Sequence, residues 1–177
     1  LSVVVLAGGI SHERDISLRS GRRVADGLTG VGHTVTMREP DASLLAFLAE
    51  NRPDVVWPAL HGASGEDGAL RALLAQTGIA FVGSESDAAR LAWSKPTAKT
   101  LVARAGIATP ESVTLPTEAF RELGASSVLD TILANLGTPL VVKPAQGGSA
   151  QGVTIVDDPA DLPRAMVDAY TYADVTL

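Results

Sequence analysis

Alternation is the feature that most constrains how this chain can fold. Apolar runs at Ser2–Ala7, Thr34–Met37, Asp54–Leu60 and Ile79–Val82 read as strands, and helical spacing fills the gaps between them. The first gap carries Ile16, Ser20, Val24 and Leu28 at four-residue steps on one face. It predicts a helix starting near Ser11 to Arg14 and ended by Gly30 and Gly32. A second helix is expected around Ala42–Glu50, and a third over Leu70–Thr77, closed by Gly78. Strands that alternate with helices require right-handed crossovers and therefore a parallel sheet. The pattern up to about Ser84 predicts a small doubly wound α/β domain.

In an open parallel sheet, ligands gather beyond the carboxyl ends of the strands. Two of those ends carry chemistry. After the third strand comes Leu60-His61-Gly62-Ala63-Ser64-Gly65-Glu66-Asp67-Gly68, and the reading places both acids in or near the first turn of the next helix. An imidazole, backbone freed by three glycines and two carboxylates meet there; the acids also suit the helix dipole without any ligand. After the first strand comes Ala7-Gly8-Gly9-Ile10-Ser11-His12-Glu13-Arg14. It lacks the G-x-G-x-x-G pattern of a dinucleotide site. Glu13 at its mouth suits either a ligand ammonium or the positive end of the helix. His33 and His12 show no partner in the pattern.

Beyond Ser84 the pattern changes to α+β. Helices are expected at Ser86–Trp93 and Thr97–Ala105, a linker at Ala108-Thr109-Pro110, and a short strand at Val113–Leu115. A further helix carries Leu129, Ile132, Leu133 and Leu136. A hairpin follows, Leu140–Lys143 and Val153–Val156, and a last helix carries Leu162, Ala165, Met166 and Ala169. The hairpin encloses Lys143-Pro144-Ala145-Gln146-Gly147-Gly148-Ser149-Ala150-Gln151-Gly152. Glycines that allow close backbone approach, with an ammonium beside them, suit nucleotide phosphates. The lysine precedes the glycines, so this is not a Walker A loop. A mobile hairpin with a solvated lysine is the plainer alternative. Lys95, ahead of a helix, is a possible second phosphate contact.

The net charge of −6, from 14 basic and 20 acidic residues, argues against nucleic acid or an anionic membrane as partner. The chain has no cysteine and therefore no thiol chemistry. No apolar run approaches the roughly 20 residues that span a bilayer, and a soluble cytoplasmic protein is the expectation. No cluster has metal-ligand spacing, so no metal site is expected within this chain.

Taken together, Gly8-Gly9-x-Ser11-x-Glu13-Arg14-x-x-Ser17, Leu60-His61-Gly62-x-x-Gly65-Glu66-Asp67-Gly68 and Val142-Lys143-Pro144 with Gly148-Ser149 resemble the D-alanine–D-alanine ligase family of the ATP-grasp superfamily. Gly83-Ser84 followed by Lys95, and Gly106-Ile107-x-Thr109-Pro110, fit the same order. The resemblance runs from end to end. It implies a parallel doubly wound pre-ATP-grasp domain that binds D-alanine, residues 1–108, followed by the first, incomplete part of an ATP-grasp domain, residues 109–177. It implies an ATP-dependent ligase that makes the peptidoglycan precursor dipeptide through an acyl phosphate.

In that scheme Glu13 matches the acid that holds the ammonium of the first D-alanine. Ser149 matches a serine hydrogen-bonded to that acid, His61 a residue lining the D-alanine pocket, and Glu66 an acid supporting the network. Lys95 and Lys143 match the lysines on the ATP phosphates, with Gly147 and Gly148 in the loop beside them. One departure is clear: Gly148-Ser149-Ala150-Gln151-Gly152 stands where the family usually has Gly-Ser-Ser-Val-Gly, which leaves backbone N–H groups to hold phosphate. The family's Mg2+ ligands, and its acids for adenine and ribose, are expected after Leu177. The resemblance thus implies an N-terminal fragment, inactive alone, of a longer and homodimeric ligase. Two other readings are a sister ligase using D-lactate or D-serine, and a non-catalytic nucleotide-binding module of the same fold.

Overall fold

The computed structural model describes residues 1–177, which form two compact units, Leu1–Leu91 and Ala92–Leu177. The first unit contains β1 (Ser2–Leu6), α1 (Arg14–Gly30), β2 (Thr34–Arg38), α2 (Leu44–Asn51), β3 (Val55–Pro58), α3 (Ala63–Glu66), α4 (Ala69–Gln76) and β4 (Ala80–Phe81). Helix α5 (Ser86–Trp93) runs across the division. The strands form one sheet in the order β2-β1-β3-β4, and every pairing is parallel.

Residue alternation along β1 assigns the two faces. Val4 and Leu6 join Leu44, Leu48, Val56 and Leu74 in one core, beneath α2 and α4. Val3 and Val5 join Val24, Ala25 and Leu28 of α1 on the other face. Both faces of β1 are therefore covered, which is why its residues 3 to 6 are all apolar and all buried.

The buried stripe of α1 differs from the one its periodicity suggests. Ser17 and Gly21 are buried, whereas Ile16 is 41% exposed. Gly21 explains the shift: a Cβ there would collide with the Ala7 side chain and press on Met37 Cε at 3.2 Å. The helix lies so close to β1 that only a residue without a side chain fits at the crossing.

The second unit contains α6 (Lys95–Arg104), β5 (Leu115–Pro116), α7 (Thr117–Leu123), α8 (Ala125–Leu136), β6 (Leu140–Val142), β7 (Thr154–Val156), α9 (Leu162–Tyr170) and β8 (Val175–Thr176). Strands β6 and β7 form the expected antiparallel hairpin. Its inner face, with Val142 and Val156, packs on Leu129 and Ile132 of α8 and on Leu162, Ala165 and Met166 of α9. β8 pairs with β5 and then runs on beside the end of β6, where the Lys143 and Leu177 backbones exchange two hydrogen bonds of 3.0 and 2.8 Å.

The compact units divide at residue 91, ahead of the functional division expected at 108. Helix α6 accounts for the difference, because its start is fastened within the second unit. Ser94 caps it, and the Lys95 N–H donates to the Ala145 carbonyl at 2.9 Å.

Candidate functional site

The sheet order places a topological switch point between β1 and β3, where the connections leave toward opposite faces. The loops after both strands carry the residues the sequence singled out. Ser17 stitches them together: its Oγ accepts the Gly8 N–H at 2.8 Å and donates to the Ala59 carbonyl at 2.7 Å. Ser11 makes a second stitch, donating to the His61 carbonyl at 2.8 Å while accepting the Glu13 N–H at 3.3 Å.

Glu13 is the N-cap residue of α1 and only 4% exposed. Its Oε1 is buried and has no hydrogen-bond partner. A buried oxygen of this kind carries its full desolvation cost. Gly62, at φ +79°, brings backbone against it. A Cβ on Gly62 would stand 3.2 Å from Glu13 Oε2 and 3.0 Å from Ser11 Cβ, so a side chain there would displace the carboxylate or the serine.

His61 lies in the same loop. Its Nε2 is 3.1 Å from Ser20 Oγ, and its Nδ1 is 4.0 Å from Glu66 Oε1. Glu66 and Asp67 do not open the long helix, as the spacing suggested. Glu66 ends the one-turn helix α3, and Asp67 follows it. Gly68, at φ +88°, then turns the chain into α4, and Asp67 Oδ1 accepts the Ala69 N–H at 2.8 Å. The extra turn sits tightly on Leu60: the Leu60 carbonyl carbon and oxygen would both be 2.9 Å from a Cβ on Gly65. The structure therefore brings Glu13, His61 and Glu66 into one unit, on the neighbouring segments that follow β1 and β3.

Two residues beside these loops were not expected. Glu39, just after β2, accepts the Gly9 N–H at 3.3 Å and pairs with Arg14. The strand-end rule could have found it. Ser64 Oγ is buried without a partner, and neither its type nor its spacing signalled that.

The second unit holds the cationic residues. Lys95 Nζ donates to the Gly147 carbonyl at 2.8 Å, which ties the start of α6 to the glycine loop. Burial and, after it, the charge of Lys143 hold the Lys95 ammonium below its ordinary value of 10.5. Like charges gathered this way favour an anion. Lys143 follows β6, and Gly147, Gly148 and Ser149 follow in the loop. The loop turns on Gly147 at φ +117°, Ser149 at +50° and Ala150 at +56°. It closes with two long bonds of 3.2 Å, Gln151 N–H to Gly148 O and Val153 N–H to Ala150 O. A cavity of about 520 Å³ in this unit is lined by Lys99, Thr109, Val113, Leu140, Lys143 and Leu177. Lys99 is already engaged there, with Thr109 Oγ1 at 2.7 Å and the Pro110 carbonyl at 2.6 Å.

No group of three or more His, Asp or Glu side chains able to hold a metal ion is present. No helix is long and apolar enough to cross a membrane.

Comparison with known proteins gives a consistent likeness. The family model described as D-ala D-ala ligase C-terminus matches residues 101–177. A D-alanine–D-alanine ligase of Gloeobacter violaceus is 42% identical over 180 residues, covering 100% of this chain and 57% of that protein. The structure of a D-alanine–D-alanine ligase from Bacillus anthracis complexed with ATP superposes with a TM-score of 0.80 at 26% identity, over 99% of this chain and 57% of that one. The VanG D-Ala:D-Ser ligase from Enterococcus faecalis superposes with a TM-score of 0.77 at 26% identity, over 99% and 61%. The chain spans about half the length of the curated relatives it matches.

Proposed function

We propose that this chain, which belongs to the D-alanine–D-alanine ligase family and corresponds to its N-terminal portion, supplies the amine-binding and part of the phosphate-binding machinery of an ATP-dependent ligase. One observation carries the proposal: a buried carboxylate, Glu13, with an oxygen left unpaired at the switch point of a parallel sheet. A ligand ammonium is the group that such an oxygen lacks.

In the proposed reaction the carboxylate of a first D-alanine attacks the γ-phosphorus of ATP, giving an acyl phosphate and ADP. The amine of a second D-alanine then attacks the acyl carbon, and phosphate leaves as the peptide bond forms. Glu13 holds the ammonium of the first amino acid and so fixes its register, while His61 and Glu66 shape the wall beside it. Lys95 and Lys143, with the backbone of Gly147 and Gly148, offset the triphosphate charge that otherwise repels a carboxylate nucleophile. Ser149 is proposed as a hydroxyl donor of that loop. The functional division, residues 1–108 for D-alanine and 109–177 for the start of the ATP domain, belongs to the same reading. So do a cytoplasmic homodimer, the dipeptide's use in the cell wall, and Mg2+ held by residues outside this chain.

The test is ATP- and D-alanine-dependent phosphate release. It is measured on the 177-residue chain and on that chain completed with the C-terminal part of the Gloeobacter violaceus relative. Release is expected only from the completed protein. Turnover by the 177 residues alone, or none by a folded completed protein, overturns the reading.

A further inference from the structure

The two ring nitrogens of His61 have neighbours of different chemistry, a hydrogen-bonded hydroxyl at one and a more distant carboxylate at the other. Glu66, when ionised, can only accept a hydrogen bond. Its Oε1 faces Nδ1 at 4.0 Å. Ser20 can donate or accept, and its Oγ is 3.1 Å from Nε2. One neutral tautomer suits both neighbours: Nε2 accepts the serine hydroxyl, and Nδ1 carries its proton on the side of the carboxylate, whose charge favours it there across 4.0 Å without a hydrogen bond. The reverse tautomer would set the Nδ1 lone pair against a carboxylate. The His61 backbone is fixed independently, by Ser11 Oγ on its carbonyl at 2.8 Å.

We propose that Ser20 and Glu66 clamp His61 in the Nδ1–H tautomer, and that Ser20 is a positioning residue acting through His61. The assignment stands on the geometry of the first unit alone. Its consequence rests on the ligase reading: with the tautomer and ring plane of His61 set by Ser20, the imidazole presents one fixed face to the pocket wall beside Glu13.

Long-range proton–nitrogen correlation spectra of the 177-residue chain, labelled with nitrogen-15 at histidine, test this directly. At a pH where the ring is neutral, His61 is expected as the Nδ1–H form, the opposite of the preference of a free histidine side chain. Ser20→Ala should shift it to the Nε2–H form or a mixture, and Ser20→Thr should restore the native pattern. Serine to alanine within a helix does not threaten folding, since alanine is the better helix former. His61 found as Nε2–H in the unaltered chain, or a tautomer unmoved by Ser20→Ala, overturns the proposal. In the completed ligase Ser20→Ala should raise KM for D-alanine more than it lowers kcat. A normal tautomer shift in a protein with no ligase activity would instead fault the functional reading and leave the clamp standing.

Discussion

The two units hold opposite charges in opposite ways. In the first, an anion is buried, and the loops around it are laced by serines: Ser17 joins β1 to β3, and Ser11 joins Glu13 to His61. In the second, the cations sit beside a loop whose residues 149 and 150 are exposed and whose closing bonds are long. The difference follows the proposed ligands. A small ammonium needs one fixed, desolvated partner. A triphosphate presents many oxygens over a long span and is served by backbone that can adjust to it.

The comparison can be broken most severely at Glu13. Glu13→Gln keeps the shape and removes the charge. D-Alanine-dependent turnover of the completed ligase is expected to fall by roughly a hundredfold or more, equivalent to about 3 kcal/mol. The urea midpoint of the 177-residue chain should hold or rise, because Glu13 Oε1 makes no hydrogen bond in the fold that the amide would lose. A midpoint that falls together with activity would make Glu13 a structural residue.

Glycine exchanges sharpen the contrast between a packed loop and a strained one. Gly65→Ala drives a Cβ into Leu60 and should destabilise the first unit by about 1–3 kcal/mol in urea denaturation. Ala150→Gly works the other way. Relief of a left-handed alanine is worth roughly 1–2 kcal/mol, and the added chain entropy of glycine takes back about half of that or more. A gain below about 1 kcal/mol is expected.

The smallest effect concerns Lys95. Its folded value lies below 10.5, from burial first and Lys143 second. The unfolded chain therefore binds more protons across this range, and stability rises with pH between the folded value and 10.5. Lys143→Met should raise the Lys95 value only part of the way, since burial remains, and should shallow that rise in urea midpoint with pH. Tripolyphosphate should raise it in the unaltered chain, as followed by carbon-13 spectra of the lysine side chain.

Much of the architecture was legible because strands and amphipathic helices announce themselves by period. The parallel sheet, the hairpin and helices α1, α2, α4, α8 and α9 all follow from the apolar spacing. Helix α7 was missed, because seven residues after a proline offer too few apolar positions to show a period. The same rule misjudged α1: it counts Ile16 as core and gives no weight to Ser17, whose hydroxyl is buried because two strand ends need it. In the site, Glu13, His61 and Glu66 were read from loops at strand ends. Ser20 stood in the pattern only as a helix-face residue, and Glu39 not at all, because side chains that meet across 25 to 41 residues leave no local signal.

Glu39 has a wider consequence. In sheets of this topology the turn after β1 commonly receives phosphate on bare amide groups. Here a carboxylate of the protein's own already occupies the Gly9 amide and is anchored by Arg14. The turn is thus self-inhibited toward anions. An anion would have to displace Glu39 to reach that amide.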